Sequence, residues 1–276
     1  MSNDAQREYW NGPGGDVWVE AQDHMDRMLA PISDLGLAKA AALDGERIID
    51  VGCGCGATSL ALARSGADVW GVDISAPMIT RAKARAAEGN VNNVAFLVAD
   101  ASNQTYTPDH HLVFSRFGVM FFEDPKHAFA TIRTGLVPGG RVVFLCWQKP
   151  RENQWMSIAG RAVQPFLPPT EQGDPRVPGP FAFADPAWIE EILGVAGFSS
   201  IEIESVTPEL VLGRDLDEAM FFQGKVGPLA RVLAELDDES RQKAAAAARE
   251  ALAEHLTEEG IRLGSAAWLV SADNPL

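Results

Sequence analysis

The stretch IIDVGCGCGATSLALA, residues 48–63, restricts the fold more than any other part of the chain. A buried-type run of Ile and Val ends in an aspartate. Three glycines follow at alternate positions, and helix formers resume at once. A strand that bends through glycines into a helix belongs at the first crossover of an open parallel sheet. Glycine there permits positive φ and lets a ligand approach the backbone. The rest of the first half repeats the alternation. Strands are expected over 47–51, 67–73, 94–100, 112–117 and 141–147, with helices over 57–65, 76–88 and 124–136 and a turn at Pro138-Gly139-Gly140. Asp124-Pro125 opens the last of these helices with a side-chain acceptor followed by proline at the first helical position. The strands are runs of Val, Ile, Leu and Phe without strict alternation, which suits burial on both faces of a mainly parallel sheet.

Beyond Gln148 the texture changes. Residues 149–185 interleave prolines (Pro165, Pro168, Pro169, Pro175, Pro178, Pro180) with Trp155, Phe166, Phe181 and Phe183, around a short helix near 154–163. A long connection of this kind is either a lid or binding loop or a packed surface excursion. A helix over 185–196, a strand over 201–206, helices over 216–223, 228–236 and 239–256, and a strand over 266–271 complete the reading. The expected class is α/β, doubly wound, with seven strands.

Composition excludes several partners. Lys and Arg number 23 against 38 Asp and Glu, a net charge of −15. Such a chain is a poor match for nucleic acid or an anionic membrane surface, both of which need basic residues. Cys53, Cys55 and Cys146 are too few and too oddly placed for a disulfide framework, as in a reduced intracellular protein. The first residues are polar, with no apolar signal core. The apolar runs fall far short of the roughly 18 residues that read as a membrane span. A cytoplasmic protein without membrane insertion is expected. The helical segment 215–260 leaves monomer and homodimer equally open.

Three ligands compete for the glycine bend. The spacing Gly52-x-Gly54-x-Gly56 departs from the G-x-G-x-x-G of dinucleotide sites, and Gly56-Ala57-Thr58 lacks the lysine of a phosphate loop. A pyrophosphate wants bare N–H groups at a helix N-terminus. Asp50 beside the bend repels an anion and favours an ammonium or sulfonium, both of which S-adenosylmethionine carries without a phosphate. A metal site fails on ligand count, since Cys53-x-Cys55 has no second pair nearby; no metal is expected. Asp73, ending the second strand, suits the two ribose hydroxyls of an adenosine, or else it is the acid before a helix start. Asp100, ending the third, suits an adenine amino group with the Ala101 N–H beside it, or else it is a polar strand end.

Together IIDVGCGCG, WGVDISAPMI, FLVADAS, LVFSRFGVMFFEDP and LVPGGRVVF resemble the class I S-adenosylmethionine-dependent methyltransferases over about residues 45–148. The N-terminal YWNGPGGDVWVEAQDHMDRML and the terminal GSAAWLVSADNP are similar to the ubiquinone/menaquinone-biosynthesis C-methyltransferase-like group. The resemblance implies a Rossmann-like sheet with an N-terminal helical cap over 1–44, a cofactor-binding core over 45–148, a lid or substrate insertion over 149–185 and a C-terminal completion over 186–276. It implies that Asp50, Gly52, Cys53 and Gly54 line the methionine part of the cofactor, with Thr58 close by. Asp73 would hold the ribose, Ile74 and Met78 would pack on the adenine, and Asp100 and Ala101 would read its edge. Ser115 and Arg116 would border the sulfonium and the substrate, and Trp10 and Trp18 would cover the methionine end. His110-His111 stands where members often carry an acid, away from the expected site. The Asn/Asp-Pro-Pro-aromatic motif of base- and glutamine-modifying members is missing.

The implied reaction is methyl transfer to a small, partly apolar or aromatic molecule, at carbon or oxygen in preference to nitrogen. A nicotinamide-dependent oxidoreductase and a non-catalytic cofactor binder are the alternatives. If a proton must leave the acceptor, the candidates for base are His24, Tyr9, Glu20 and Asp124, while Arg116 could steady an oxyanion or the cofactor carboxylate.

Overall fold

The computed structural model describes residues 3–167, 174–226, 229, 230, 233 and 236–276. Three helices lead: α1 (Asn3–Trp10), α2 (Pro13–Glu20) and α3 (Gln22–Ala40). The alternating part follows as β1 (Arg47–Val51), α4 (Ala57–Ala63), β2 (Asp68–Asp73), α5 (Ala76–Glu88), β3 (Val94–Val98), β4 (His110–Arg116), α6 (Pro125–Arg133) and β5 (Leu136–Trp147). Then come α7 (Gln154–Val163), α8 (Pro186–Val195), β6 (Ser199–Val206), β7 (Glu209–Gly213), α9 (Leu216–Lys225), α10 (Asp238–Ala253), β8 (Leu256–Thr257), β9 (Gly260–Gly264) and β10 (Ala267–Asp273).

Seven strands form one sheet in the order β3-β2-β1-β4-β5-β10-β6. β1 pairs in parallel with β2 and β4, β2 with β3, and β4 with β5; only β10 runs antiparallel, between β5 and β6. Phe114 is in register with Val143, and Ser115 with Phe144. Because side chains alternate along a strand, Phe114 and Leu145 face one side and Phe144 the other. Gly36 of α3 sits directly over Phe114 and Leu145, whereas Phe129 of α6 lies 5.4 Å from Phe144. Helices therefore cover both faces, and Phe114, Phe129, Phe144 and Leu145 are fully buried. Each such side chain contributes about 1.5–3 kcal/mol of burial.

The expected α/β class and seven-stranded sheet are present, and Asp124 caps α6 by accepting from the His127 N–H at 3.1 Å. Two details differ. The expected turn at Pro138-Gly139-Gly140 lies inside β5, as an irregularity between the pairs His110–Leu136 and Leu112–Arg141. Gly139 takes φ +77°, and its N–H and the Gly140 carbonyl bond to Asn274 at 2.9 and 2.7 Å, so the end of the chain straightens the bend. A second, antiparallel sheet, β7-β9-β8, was not expected. Its strands are short; β8 and β9 pair as a local hairpin, and only the pairing of β7 with β9 is long-range. The helix expected over 228–236 falls largely outside the described residues, as does the 168–173 part of the 149–185 segment. Among the described residues no helix is long and apolar enough to cross a membrane.

Candidate active site

A cavity of about 550 Å³ opens at the carboxyl ends of β1 to β5, where open parallel sheets place their ligands. Its wall includes Gly52, Cys53, Gly54, Thr58, Asp73, Ile74, Met78, Asp100, Ala101 and Arg116, and, from α1 and α2, Trp10 and Trp18. Ten sequence-derived positions from four crossovers thus meet in one space.

The glycine bend is shaped by backbone contact. Gly52 has φ +67°, and a Cβ there would stand 2.6 Å from Gly118 Cα. A Cβ on Gly118 would stand 2.6 Å from the Val51 carbonyl. The turns after β1 and β4 can touch only because both residues lack side chains. Ser115 secures the same junction, donating its hydroxyl to the Val51 carbonyl at 2.7 Å and accepting the Gly118 N–H at 3.2 Å. Ser115 is buried in that clip and does not reach the cavity, contrary to the expectation that it borders the sulfonium.

Asp50 also stands behind the wall rather than in it. It is fully buried; Oδ2 accepts from Thr58 Oγ1 at 2.7 Å and Ser59 Oγ at 2.6 Å, and Oδ1 has no hydrogen-bond partner among the described residues. Burial raises its pKa to about 6, against the opposing pull of those two hydroxyls and of Arg116. At neutral pH it is a largely ionised, half-satisfied carboxylate one layer beneath the glycines. Asp73, by contrast, lines the cavity. It accepts from the Gly54 and Ser75 N–H groups, both at 2.8 Å, so it ties the bend to the end of β2. Burial pushes its pKa up while those N–H groups pull it down. The Ile74 N–H also bears on it; since an ionised carboxylate has about four acceptor sites, some capacity remains for a ligand.

Asp100 is more heavily engaged. Ser102 donates its N–H and hydroxyl to Oδ1, at 2.9 and 2.6 Å; Asn103 and the Asn3 side chain donate to Oδ2. Despite partial burial these donors hold its pKa below the usual value.

Arg116 projects from β4 on the α3 side of the sheet and donates to Ser33 Oγ at 2.8 Å. Burial lowers its pKa, opposed by Asp26 and Asp50. Among the described residues it makes no ion pair within 4.0 Å. His24 does not line the cavity. Its ring lies flat on Phe222, 4.9 Å between centroids and 11° between planes, and Nδ1 is 3.4 Å from Glu218. Burial pushes its pKa down. Glu20 pairs with Lys225 at 3.4 Å, and of the four base candidates only Tyr9 reaches the cavity.

Sequence reasoning missed two parts of the wall. Gln22 and Asp26, four residues apart on α3, add polar groups. Gln22 Nε2 donates to Asp26 at 2.7 Å, and Arg85 of α5 reaches Asp26 at 2.6 Å and the Cys55 carbonyl at 2.6 Å. That spacing on one helix face was the available signal. The second part is aromatic: Phe117, Trp147 and Phe222, which join Trp155 and Phe181 of the segment already read as a possible binding loop. Phe117 has φ +63°, which costs a non-glycine residue about 1–2 kcal/mol.

This geometry is that of a Rossmann-like, doubly wound α/β fold. Residues 48–140 match the family described as Methyltransferase domain. Over 155 residues the chain is 31% identical to aklanonic acid methyltransferase DauC of Streptomyces sp. (strain C5), covering 55% of this chain and 63% of that protein. It is 29% identical over 179 residues to phosphoethanolamine N-methyltransferase 1 of Zea mays, covering 63% of this chain and 32% of that one. It is 29% identical over 180 residues to demethylmenaquinone methyltransferase of Clavibacter sepedonicus, covering 62% and 73%. The chain thus spans less than two thirds of the length of the first two. Among solved structures, Haemonchus contortus phosphoethanolamine N-methyltransferase 2 in complex with S-adenosyl-L-methionine superposes with a TM-score of 0.63 at 19% identity, covering 98% of this chain and 60% of that one. The YcgJ protein of Bacillus subtilis superposes with a TM-score of 0.59 at 17% identity, covering 88% and 98%.

Proposed function

We propose that this protein is an S-adenosylmethionine-dependent methyltransferase acting on a small, partly apolar or aromatic molecule, at carbon or oxygen. The observation that carries the reading is the pair of buried carboxylates at the glycine bend. Among the described residues Asp50 Oδ1 has no hydrogen-bond partner, and it lies beneath backbone that a ligand can touch. Its charge favours a cationic ligand there and disfavours a diphosphate. The residues present therefore fit the cofactor. When bound, S-adenosylmethionine supplies a methyl group on a positively charged sulfur.

The chain's own groups have separable tasks. Gly52, Cys53, Gly54 and Thr58 would hold the methionine part, over the field of Asp50, and Trp18 would cover it. The free acceptor sites of Asp73 would take the ribose hydroxyls, and Ile74 and Met78 would flank the adenine. Asp100 has no acceptor site to spare while Asn3 donates to it, so an adenine amino group there would displace the Asn3 amide; Ala101 offers its N–H. Arg116 would face a carboxylate or an oxyanion. Clamping an acceptor in line with the methyl group is worth about 7–11 kcal/mol in favourable cases, which makes positioning the main task of the wall. Helices α1 to α3 act as a cap, and the described part of 149–185 as a lid, of which Pro178, Pro180 and Phe181 line the cavity.

Calorimetry with S-adenosylmethionine, S-adenosylhomocysteine and the nicotinamide dinucleotides tests the cofactor. Micromolar binding of the first two, lost by at least about tenfold in Asp73→Ala, is expected from the loss of charge-assisted hydrogen bonds. Binding of a dinucleotide with exclusion of both sulfur compounds overturns the reading. Turnover across phenols, quinols, carboxylic acids and amines then identifies the acceptor atom.

A further inference from the structure

Among the described residues the cavity wall carries three carboxylates and one cation: Asp26, Asp73, Asp100 and Arg116. Asp73 and Asp100 are built into the turns after β2 and β3, where neighbouring donors hold them. Asp26 differs. It comes from α3, in the cap, and only its Oδ2 is engaged: Gln22 Nε2 and Arg85 Nη2 both donate to that atom, at 2.7 and 2.6 Å. Among the described residues Oδ1 accepts no hydrogen bond. The side chain is 25% exposed, and it lines the cavity.

Arg85 fixes where Asp26 stands. One of its terminal nitrogens donates to Asp26 and the other to the Cys55 carbonyl, at 2.6 Å each, so a single guanidinium holds the carboxylate beside the glycine bend. One turn earlier on α5, Arg81 Nε donates to Gln22 Oε1 at 3.1 Å. Gln22 with Asp26, and Arg81 with Arg85, have the spacing at which side chains share a helix face. Helix α3 is thereby clamped to α5 next to the bend. Of the charges acting on Arg116, Asp26 is the strongest, yet the two form no direct ion pair. The wall at the bend therefore presents an anionic acceptor and a cationic donor held apart. An amino-acid end, with an ammonium and a carboxylate on one carbon, matches that arrangement. Asp50 cannot supply the contact, since it is buried beneath the glycines and acts on a ligand only through its field.

We propose that Asp26 is a cofactor-binding residue, whose Oδ1 accepts from the α-ammonium of S-adenosylmethionine while Arg116 faces the carboxylate on the same carbon. The cap helix α3 thus reads the amino-acid end of the cofactor, and the Arg85 clamp sets the carboxylate at that place. The proposal rests on the methyltransferase reading above.

The test is calorimetry on the full chain with three ligands: S-adenosylhomocysteine; its deaminated analogue, which keeps the carboxylate without the ammonium; and 5′-methylthioadenosine, which lacks the amino-acid end. The wild type binds S-adenosylhomocysteine at least about tenfold more tightly than the deaminated analogue, the scale of one charge-assisted hydrogen bond. In Asp26→Asn that preference falls to about twofold, the scale of a neutral contact, because affinity for S-adenosylhomocysteine drops while the other two ligands bind as before. Arg85→Met removes the same tie between α3 and α5 but leaves the carboxylate, and it keeps most of the preference. A merely structural Asp26 would make both variants weaken all three ligands alike, and that result overturns the proposal. So does a preference that Asp26→Asn retains in full. Should Asp26→Asn not fold, Asp26→Ser carries the same readout. Equal affinity for S-adenosylhomocysteine and its deaminated analogue, in a wild type that binds both, overturns this proposal alone; failure to bind either S-adenosylhomocysteine or methylthioadenosine removes the reading beneath it as well.

Discussion

Replacing Asp50 with Asn isolates a single buried charge. The native carboxyl has a pKa of about 6, against an ordinary 3.8, because it is fully buried. That difference corresponds to about 3 kcal/mol, since one pKa unit is worth about 1.4 kcal/mol. The sign follows from proton counts. Between 3.8 and about 6 the folded state keeps the proton and the unfolded state has lost it. Stability from this group therefore falls as pH rises through that window: the favourable contribution is complete below 3.8 and is lost above about 6. The Asn variant does not titrate there. Its new amide, next to the Thr58 and Ser59 hydroxyls, adds a constant offset, but the pH dependence of the difference between the two proteins belongs to Asp50. Urea unfolding at about pH 4.5 and about pH 7.5 should show the variant gaining about 2 kcal/mol on the wild type across that interval. A difference that stays flat would refute the claim that Asp50 is a strained, uncompensated charge. At about pH 7.5 the same variant should bind S-adenosylmethionine more weakly, so stability and cofactor affinity move in opposite directions.

Gly118→Ala places a Cβ 2.6 Å from the Val51 carbonyl and 2.8 Å from Gly52 Cα, so it should cost about 1–3 kcal/mol in denaturant unfolding and weaken cofactor binding with it. Asn153→Ala removes the fully buried amide that bonds the Ala266 N–H and carbonyl and the Trp155 N–H, and a loss of about 2–4 kcal/mol is expected from the orphaned partners, read as a lowered melting temperature. Asp73→Asn keeps the shape but replaces one acceptor oxygen by a donor facing an N–H; hydrogen exchange at Gly54 should rise, with little change in the far strands.

The legible part of the site lies where local sequence sets both backbone and chemistry. Gly52, Gly54, Asp73, Ile74 and Asp100 lie at or within three residues of the carboxyl ends of parallel strands, so their end of the sheet was readable from position alone. The residues that sequence reasoning placed differently lie one step from those turns. Ser115 and Asp50 lie at neighbouring strand ends, where a hydroxyl or a carboxyl can face the cavity or the protein interior; packing of the β1 and β4 turns set Ser115 on the Val51 carbonyl, and the start of α4 set the Thr58 and Ser59 hydroxyls on Asp50. His24 illustrates the same limit on a helix: its spacing allowed the cavity face, and Phe222, nearly two hundred positions away, took its ring instead.

What the sequence determined by itself was the doubly wound core and the sign of charge at its first bend, because periodicity, glycine and an acid beside it act over a few residues. Only the tertiary structure decided the antiparallel insertion of β10 between β5 and β6, the pairing of β7 with β9 in the small sheet and the meeting of Asp26 on α3 with Arg85 on α5. Those depend on contacts between segments far apart in the chain, whose free energy comes from burial against one another and leaves no local pattern to read.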